Sequence, residues 1–384
     1  STGTGRLVAT ANGNNFINGV TLNGTLDLAS SAGIQRVTGG LVLNGTVNIG
    51  AAGILAPQGD QTISGSGAIV FADGNASNRL NVEAGNLTID SGVTVRGKTG
   101  VIGQQAFVGG AATLINNGTI RSDDAGVITV AIGGGTLINN GTLAAQNGAL
   151  NVQTRLTGTG ALQVAPTGSM SLANGGNTQS RLDLGGAGAA INVGNGNLTL
   201  NSDYTNASAG SGNSFDRRAG ITGAGQVVAG GDVAQTITGA GVSNGNTSNA
   251  TLTIGNVRVG STTAAEYRIN NAGTTGPVLR GAIQTSVNGG NITDSRLSGA
   301  GVTAGNYNAG GPGGSTGSLA VNFTAATAGV IAPLTGQAVN LTSNFANIPD
   351  QKLNIVIGNG AAAYNTAVGN ATPSPTVALG NTRV

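Results

Sequence analysis

Apolar and polar residues alternate along the first two thirds of this chain in runs of four to six, and the runs recur. Val20-Thr-Leu-Asn-Gly-Thr-Leu-Asp-Leu28 returns 21 positions later as Leu41-Val-Leu-Asn-Gly-Thr-Val-Asn-Ile49. Thr113-Leu-Ile-Asn-Asn-Gly-Thr-Ile120 returns after 23 as Thr136-Leu-Ile-Asn-Asn-Gly-Thr-Leu143. Alternation with period two predicts half-buried strands, with Leu22, Leu26 and Leu28 inward and Thr25 outward. A repeat in the low twenties, broken by Asn-Gly, predicts a solenoid. Thr62-Ile-Ser-Gly-Ser-Gly-Ala-Ile-Val70, Leu156-Thr-Gly-Thr-Gly-Ala-Leu-Gln-Val164 and Ile221-Thr-Gly-Ala-Gly-Gln-Val-Val228 form a second recurring unit, two β segments around a Gly-x-Gly corner. Coils of 21–23 residues suit a parallel β-helix with about three short strands per turn.

Stacked roughly 4.8 Å apart, about eleven coils would make a rod on the order of 50 Å long. Ile115 and Ile138 are expected at equivalent inward positions. Asn116 with Asn139, and Asn23 with Asn44, are expected to stack as amide ladders at the turns. Antiparallel hairpins would also use Asn-Gly turns, but they leave the recurring offset unexplained.

The pattern changes near residue 250. Six of the eight prolines lie beyond it, and the alternating segments lengthen: Thr251-Leu-Thr-Ile-Gly-Asn-Val-Arg-Val259, Ser318-Leu-Ala-Val-Asn-Phe323, Gln337-Ala-Val-Asn-Leu-Thr-Ser343 and Lys352-Leu-Asn-Ile-Val-Ile357. Longer strands with irregular connections predict an antiparallel β-sandwich. Residues 304–316, with Tyr307 and a Gly-Gly-Pro-Gly-Gly run, read as a flexible surface loop. Helical periodicity is absent. The expected fold is all-β: a β-solenoid over residues 1–250, an immunoglobulin-like β-sandwich over 251–365, and a linker with a further strand over 366–384.

Two resemblances sharpen this expectation. The Asn-Asn-Gly-Thr-Leu/Ile coils resemble the passenger regions of autotransporters and of filamentous-haemagglutinin-type adhesins, which implies a right-handed parallel β-helix over about 250 residues. Ile254-Gly-Asn-Val-Arg-Val-Gly260 and Tyr267-Arg-Ile-Asn-Asn-Ala-Gly273 resemble the opening strands of immunoglobulin-like repeats in bacterial choice-of-anchor surface proteins, akin to the abnormal-spindle/hydin type. Val321-Asn-Phe-Thr-Ala-Ala-Thr-Ala-Gly329 and Leu341-Thr-Ser-Asn344 match their later signature, although Ala325 stands where the family favours proline and a glycine-rich insertion precedes it. This likeness implies an adhesion or spacer module, with no active site to carry over.

Composition narrows the function. Charged residues are 8% of the 384, against roughly 25% in an ordinary soluble domain. With 39% apolar residues in alternating runs, the 70 glycines read as corners rather than as a disordered tract. Net charge is +2 and the basic residues are scattered, so the footprint of a nucleic-acid-binding protein is missing. No apolar run is long enough for a transmembrane helix. Ser1-Thr-Gly-Thr-Gly has neither a basic nor an apolar signal region, so an exported chain would start here in mature form.

With neither histidine nor cysteine in the sequence, imidazole and thiol catalysis and their metal sites have no residues to use. Asp123-Asp124 beside Arg121 reads as a solvated corner, because neighbours on a strand face opposite ways. The sequons at Asn23, Asn44, Asn86, Asn117, Asn140, Asn291 and Asn340 follow from turn geometry. No catalytic residue, cofactor or metal is therefore expected.

Two places stand out as contact candidates. Phe215, Arg217 and Arg218, with Asp216, form the one compact charged-aromatic cluster; a loop salt bridge and a weak binding surface are its two readings. Leu379-Gly-Asn-Thr-Arg-Val384 nearly copies Ile254-Gly-Asn-Val-Arg-Val259, which singles out Thr376, Val377, Leu379, Arg383 and Val384 as a strand for another domain or another subunit. These readings lead to the expectation of a structural subunit of a bacterial extracellular fibre, sheath or surface layer, self-assembling through β-edges. Its partners would be copies of itself, with other surface proteins or glycans second. An adhesin passenger and a polysaccharide-degrading β-helix are the alternatives.

Overall fold

A computed structural model of the chain describes residues 5–172, 175–208 and 217–366. The one helical element among the described residues is a 3-10 turn, Ala300–Val302. From residue 6 to residue 206 the chain winds as a parallel β-solenoid of about nine turns.

Each coil has three faces. In one coil Ala112–Asn116 forms the first face, Thr119–Ser122 the second and Val127–Val130 the third. The next coil supplies Thr136–Asn139, Thr142–Ala145 and Ala149–Val152, each in parallel register with its counterpart. A continuous sheet of eleven strands runs from Arg6–Val8 to Val227–Ala229. A sheet of fifteen carries the other two faces, joined through the long strand Ile34–Leu43. The turn count falls short of the expected eleven because the parallel coiling ends near residue 206 rather than 250; individual coils vary in length. Laddered partners are 21 residues apart at Asn23 and Asn44 but 26 apart at Asp60 and Asn86 and 29 apart at Asn197 and Gln226. The extra residues sit in the corners.

Parallel register builds the core as columns. On the second face Val47, Ile69, Val95, Ile120, Leu143 and Leu162 stack rung upon rung, all fully buried. Each contributes about 1.5–3 kcal/mol of apolar burial. Leu22, Leu26 and Leu28 point inward as the alternation predicts. The first glycine of the Gly-x-Gly corner is forced: Gly65 and Gly158 have φ of 103° and 110°. A Cβ there would strike the carbonyl of Leu43 or Asn139 in the preceding coil. The third copy of that unit turns a different corner, since Ile221–Thr222 extends the third face and Val227–Ala229 pairs with the strand starting at Leu198.

The structure corrects the phase of one repeat. Ile115 and Ile138 are equivalent, paired in register, but they lie on the outer side; the inward residues are Leu114 with Leu137 and Asn116 with Asn139. A buried asparagine is tolerable only because its neighbour in the next coil is another. Asn116 Nδ2 donates to Asn139 Oδ1 at 2.7 Å, and Asn139 Nδ2 donates to Gln179 Oε1 at 2.7 Å. The expected ladder at this pair exists, though inside the core rather than at the turn. At the exposed turns Asn44 bonds Asn23 (2.9 Å) and Asn140 bonds Asn117 (3.1 Å).

After Ala229 the pairing changes. Gln235–Thr238, Thr262–Asn271, Leu319–Thr324 and Leu297–Ser298 form an antiparallel sheet in that order. A six-stranded sheet orders Val242–Ser243, Asn249–Ile254, Gln351–Ile357, Ala338–Ser343, Leu279–Gln284 and Gly305–Gly310. This sheet is mixed, because Asn249–Ile254 runs parallel to Gln351–Ile357. Val257–Arg258, Ala362–Tyr364 and Gly329–Val330 make a third, small sheet. Tyr267, Phe323 and Phe345 fill the interior. The stretch expected as a flexible loop is partly strand. Tyr307 and Ala309 alternate inward, and the Tyr307 hydroxyl donates to Gln235 Oε1, with the Thr342 carbonyl 3.1 Å away as a second acceptor sharing the same proton. Burying its ring outweighs the loop tendency of the flanking glycines.

The columns make a sharp prediction. Leu114→Asp should destabilise by at least about 3 kcal/mol through a buried unpaired carboxylate, whereas outward Ile115→Asp should cost no more than about 1 kcal/mol. Deleting residues 113–135 should be milder than Leu114→Asp, because the flanking rungs can re-register. Urea denaturation of the three variants checks the order.

Candidate functional site

The features that can act on a partner are the two ends of the solenoid and its flank. The C-terminal end is closed. Tyr204, last in the second-face column, is fully buried with its ring 6.0 Å from that of Phe345. Around this contact the Ala346 amide donates to the Val227 carbonyl at 3.0 Å. The Asn347 side chain both accepts from Ala229 N (2.8 Å) and donates to Ala229 O (3.0 Å). Val278 N donates to Ser202 O at 2.7 Å, and Arg280 grips Asp203 through two bonds of 3.0 Å. The C-terminal sheets therefore supply the hydrogen bonds a further coil would have made.

Among the described residues the first strand, Arg6–Val8, pairs with Thr25–Asp27, and the Arg6 guanidinium bonds Asp27 and Ser30. Leu7, Val8 and Phe16 are 51%, 47% and 50% exposed.

A clasp secures the flank of the N-terminal coils. The Arg36 guanidinium lies between the rings of Phe16 (4.2 Å) and Phe107 (4.7 Å) and donates to Gln58 Oε1 at 2.9 Å. Phe107 comes from the loop at residues 103–111, which is held by Glu83. That carboxylate, buried to 2% exposure, accepts from the amides of Ala106 (3.1 Å), Phe107 (3.3 Å) and Val108 (2.9 Å) and from Asn81 Nδ2 (2.9 Å). Glu83 is a key anchor that the sequence does not flag, since its partners are loop amides more than 20 residues away.

On the second face, Arg96 and Arg121 stack as like charges in adjacent rungs. Asp123 sits between them, accepting from Arg121 Nε at 2.9 Å, Arg96 Nη1 at 3.3 Å and Gly97 N at 3.0 Å. Asp123 is thus enclosed rather than solvated; Asp124 is the exposed member, 3.8 Å from Lys98. A hollow of about 330 Å³ lies beside them, where Ala68 interrupts a column of threonines. Thr46, Thr94, Arg96 and Arg121 line it, with no carboxylate among the lining residues. Paired carboxylates, which glycoside hydrolysis needs, do not meet there. Among the described residues no three acidic side chains gather as metal ligands, and no helix is long and apolar enough to cross a membrane.

Of the sequence candidates, Arg217 bonds Asp350 at 2.7 Å, an ion pair 133 residues apart that fastens the solenoid to the C-terminal sheets. Arg218 lines a cleft of about 80 Å³ with Ile221, Gln226, Val227 and Ala346. Phe215 and Asp216 lie outside the described residues, as do Thr376, Val377, Leu379, Arg383 and Val384. The junction residues Asp203, Arg280, Asn344 and Asn347 escaped sequence reasoning. No local pattern links residues 64–140 positions apart. No protein-family model, curated protein or solved structure matches the chain, so its architecture carries the functional reading.

Two predictions follow from the anchors. Glu83→Ala leaves three loop amides without their acceptor and should cost about 2–4 kcal/mol, with proteolysis starting near Phe107. Cleavage at wild-type rate would remove the anchoring role. Asp232 latches the crossover into the C-terminal sheets. The backbone amide of Thr275 (2.6 Å), then the hydroxyl and amide of Thr274 and the Thr275 hydroxyl, hold its carboxyl down to about 2 from 3.8. A depressed pKa means the latch is fully present above 3.8 and is lost as pH falls through about 2. The Thr274 and Thr275 amide resonances should therefore titrate with a midpoint near 2, and Asp232→Asn should abolish the transition.

Proposed function

We propose that the chain is a non-enzymatic structural subunit of a bacterial extracellular fibre, sheath or surface layer, assembling with copies of itself through β-edges. The observation that carries this reading is the solenoid itself, a stiff stack of in-register parallel coils whose last coil is sealed by Phe345, Asn347 and Arg280. A stack of eleven strands is roughly 50 Å of stiff spacer. Its low charge limits repulsion between closely packed copies. The C-terminal sheets, akin in sequence pattern to choice-of-anchor repeats, serve in this reading as cap and linker.

Analytical ultracentrifugation and electron microscopy of the purified chain test the proposal. Polymers or fibres are expected without added ligand. A stable monomer that binds cells or glycans would replace this reading with that of an adhesin passenger. Release of reducing ends from a polysaccharide would replace it with a depolymerase.

A further inference from the structure

The outward positions of the second face form columns of their own. Thr46, Ala68 and Thr94 occupy one column in consecutive rungs, and Arg96 and Arg121 occupy the next, two residues along, in adjacent rungs. Ala68 lacks the hydroxyl and methyl that its column neighbours carry, and the hollow of about 330 Å³ includes this gap. That volume lies at the small end of ligand pockets, which run from about 300 to 1,000 Å³. Thr46, Ser66 and Thr94 line it, and among the described residues their hydroxyls make no hydrogen bond.

One carboxylate answers two guanidiniums here. Asp123 accepts from Arg121 Nε at 2.9 Å and from Arg96 Nη1 at 3.3 Å. Arg96 Nε and Nη2 and both Nη atoms of Arg121 are left without a partner among the described residues. The other carboxylate of this corner, Asp124, lies 3.8 Å from Lys98 and is answered there. Positive charge therefore remains on the wall of a hollow that no carboxylate lines, an arrangement that draws an anion. Guanidiniums present planar donor edges that fit a carboxylate, as Asp123 already shows from one side. A bare oxyanion would leave the three hydroxyls unanswered, whereas a sugar ring brings hydroxyls to meet them. No aromatic side chain lines the hollow, so a nucleobase finds nothing to stack on.

We infer that this hollow binds a uronic acid unit of an acidic polysaccharide, with its carboxylate on the free edges of Arg96 and Arg121 and its hydroxyls on Thr46, Ser66 and Thr94 over Ala68. The inference goes beyond the structural role proposed above and does not depend on self-assembly, because the hollow lies on the flank of the coils. A stiff subunit that holds such a polymer along its side would tie a protein layer to a polysaccharide matrix.

Isothermal titration of the full chain with trigalacturonate, and with the same trisaccharide reduced to neutral galactose units, tests the site. Trigalacturonate is expected to bind at least about tenfold more tightly than the neutral sugar, and raised salt should weaken it. Arg96→Gln and Arg121→Gln should each weaken binding by at least about tenfold. Both substitutions also disturb Asp123, so Ala68→Thr supplies the second arm. It continues the threonine column and should leave the urea midpoint unchanged, yet by filling the hollow it should weaken binding at least about fivefold. No heat with trigalacturonate, equal binding of the neutral trisaccharide, or wild-type affinity in Ala68→Thr overturns the inference. Inorganic sulfate or an oligouridylate that competes at equal concentration overturns the sugar assignment. Loss of this site would leave the assembly reading standing, and a chain that never polymerises would leave this site standing.

Discussion

The structure depends on in-register parallel stacking, which sets every residue of a coil about 4.8 Å from its counterpart in the next. Such a stack magnifies whatever occupies a position. Aliphatic residues become dry columns, as from Val47 to Leu162, and carboxamides become ladders, as at Asn23 with Asn44 and Asn116 with Asn139. Charges become repulsive unless they are answered locally. Arg96 over Arg121 is the case in point, and Asp123 sits where it can bond both. The same constraint accounts for the 8% charge content: few positions in a stack tolerate an ion above its like.

Stacking also leaves a problem that it cannot solve, because a stack has two ends with unpaired backbone. At the C-terminal end the chain changes architecture to close it. Tyr204, the bulkiest residue in its column, meets Phe345, and Asn347 reproduces the donor and acceptor of a missing rung at Ala229. The ion pairs Asp203–Arg280 and Arg217–Asp350 lie around this seal with side chains a fifth to a third exposed. Solvent screening makes them a device for fixing orientation more than for stability. The N-terminal coils are held from the side, by Arg36 between Phe16 and Phe107 and by Glu83 under the loop that brings Phe107 there. Lateral clasping thus secures those coils from the flank.

Much of this was legible beforehand. The solenoid, the three strands per coil, the inward set Leu22, Leu26 and Leu28 and the four long C-terminal strands all follow from periods and corners. The misreadings have a common form. In Thr113-Leu-Ile-Asn-Asn-Gly the alternation is plain but its phase is not, and hydrophobicity favours Ile115 as the inward residue. The structure chooses Leu114 and Asn116 instead, where the buried Asn116 amide donates to its counterpart in the next coil. Tyr307, surrounded by glycine and asparagine, has a loop-like local sequence for a similar reason: the Gln235 oxygen that receives its hydroxyl is 72 residues away.

The sequence by itself therefore determined the kind of object: an all-β chain of repeated coils, poor in charge, with no histidine or cysteine chemistry, followed by longer strands of another type. Repetition makes those properties local, since each coil carries the same message and the period can be counted. Tertiary structure decided the phase of the first-face repeat, the mixed pairing of Asn249–Ile254 with Gln351–Ile357, the seal over the last coil and the clasp beside the first. Each of these joins residues that share no repeat and lie tens to more than a hundred positions apart. Their energies arise only once the two surfaces have met, so no window of sequence contains them.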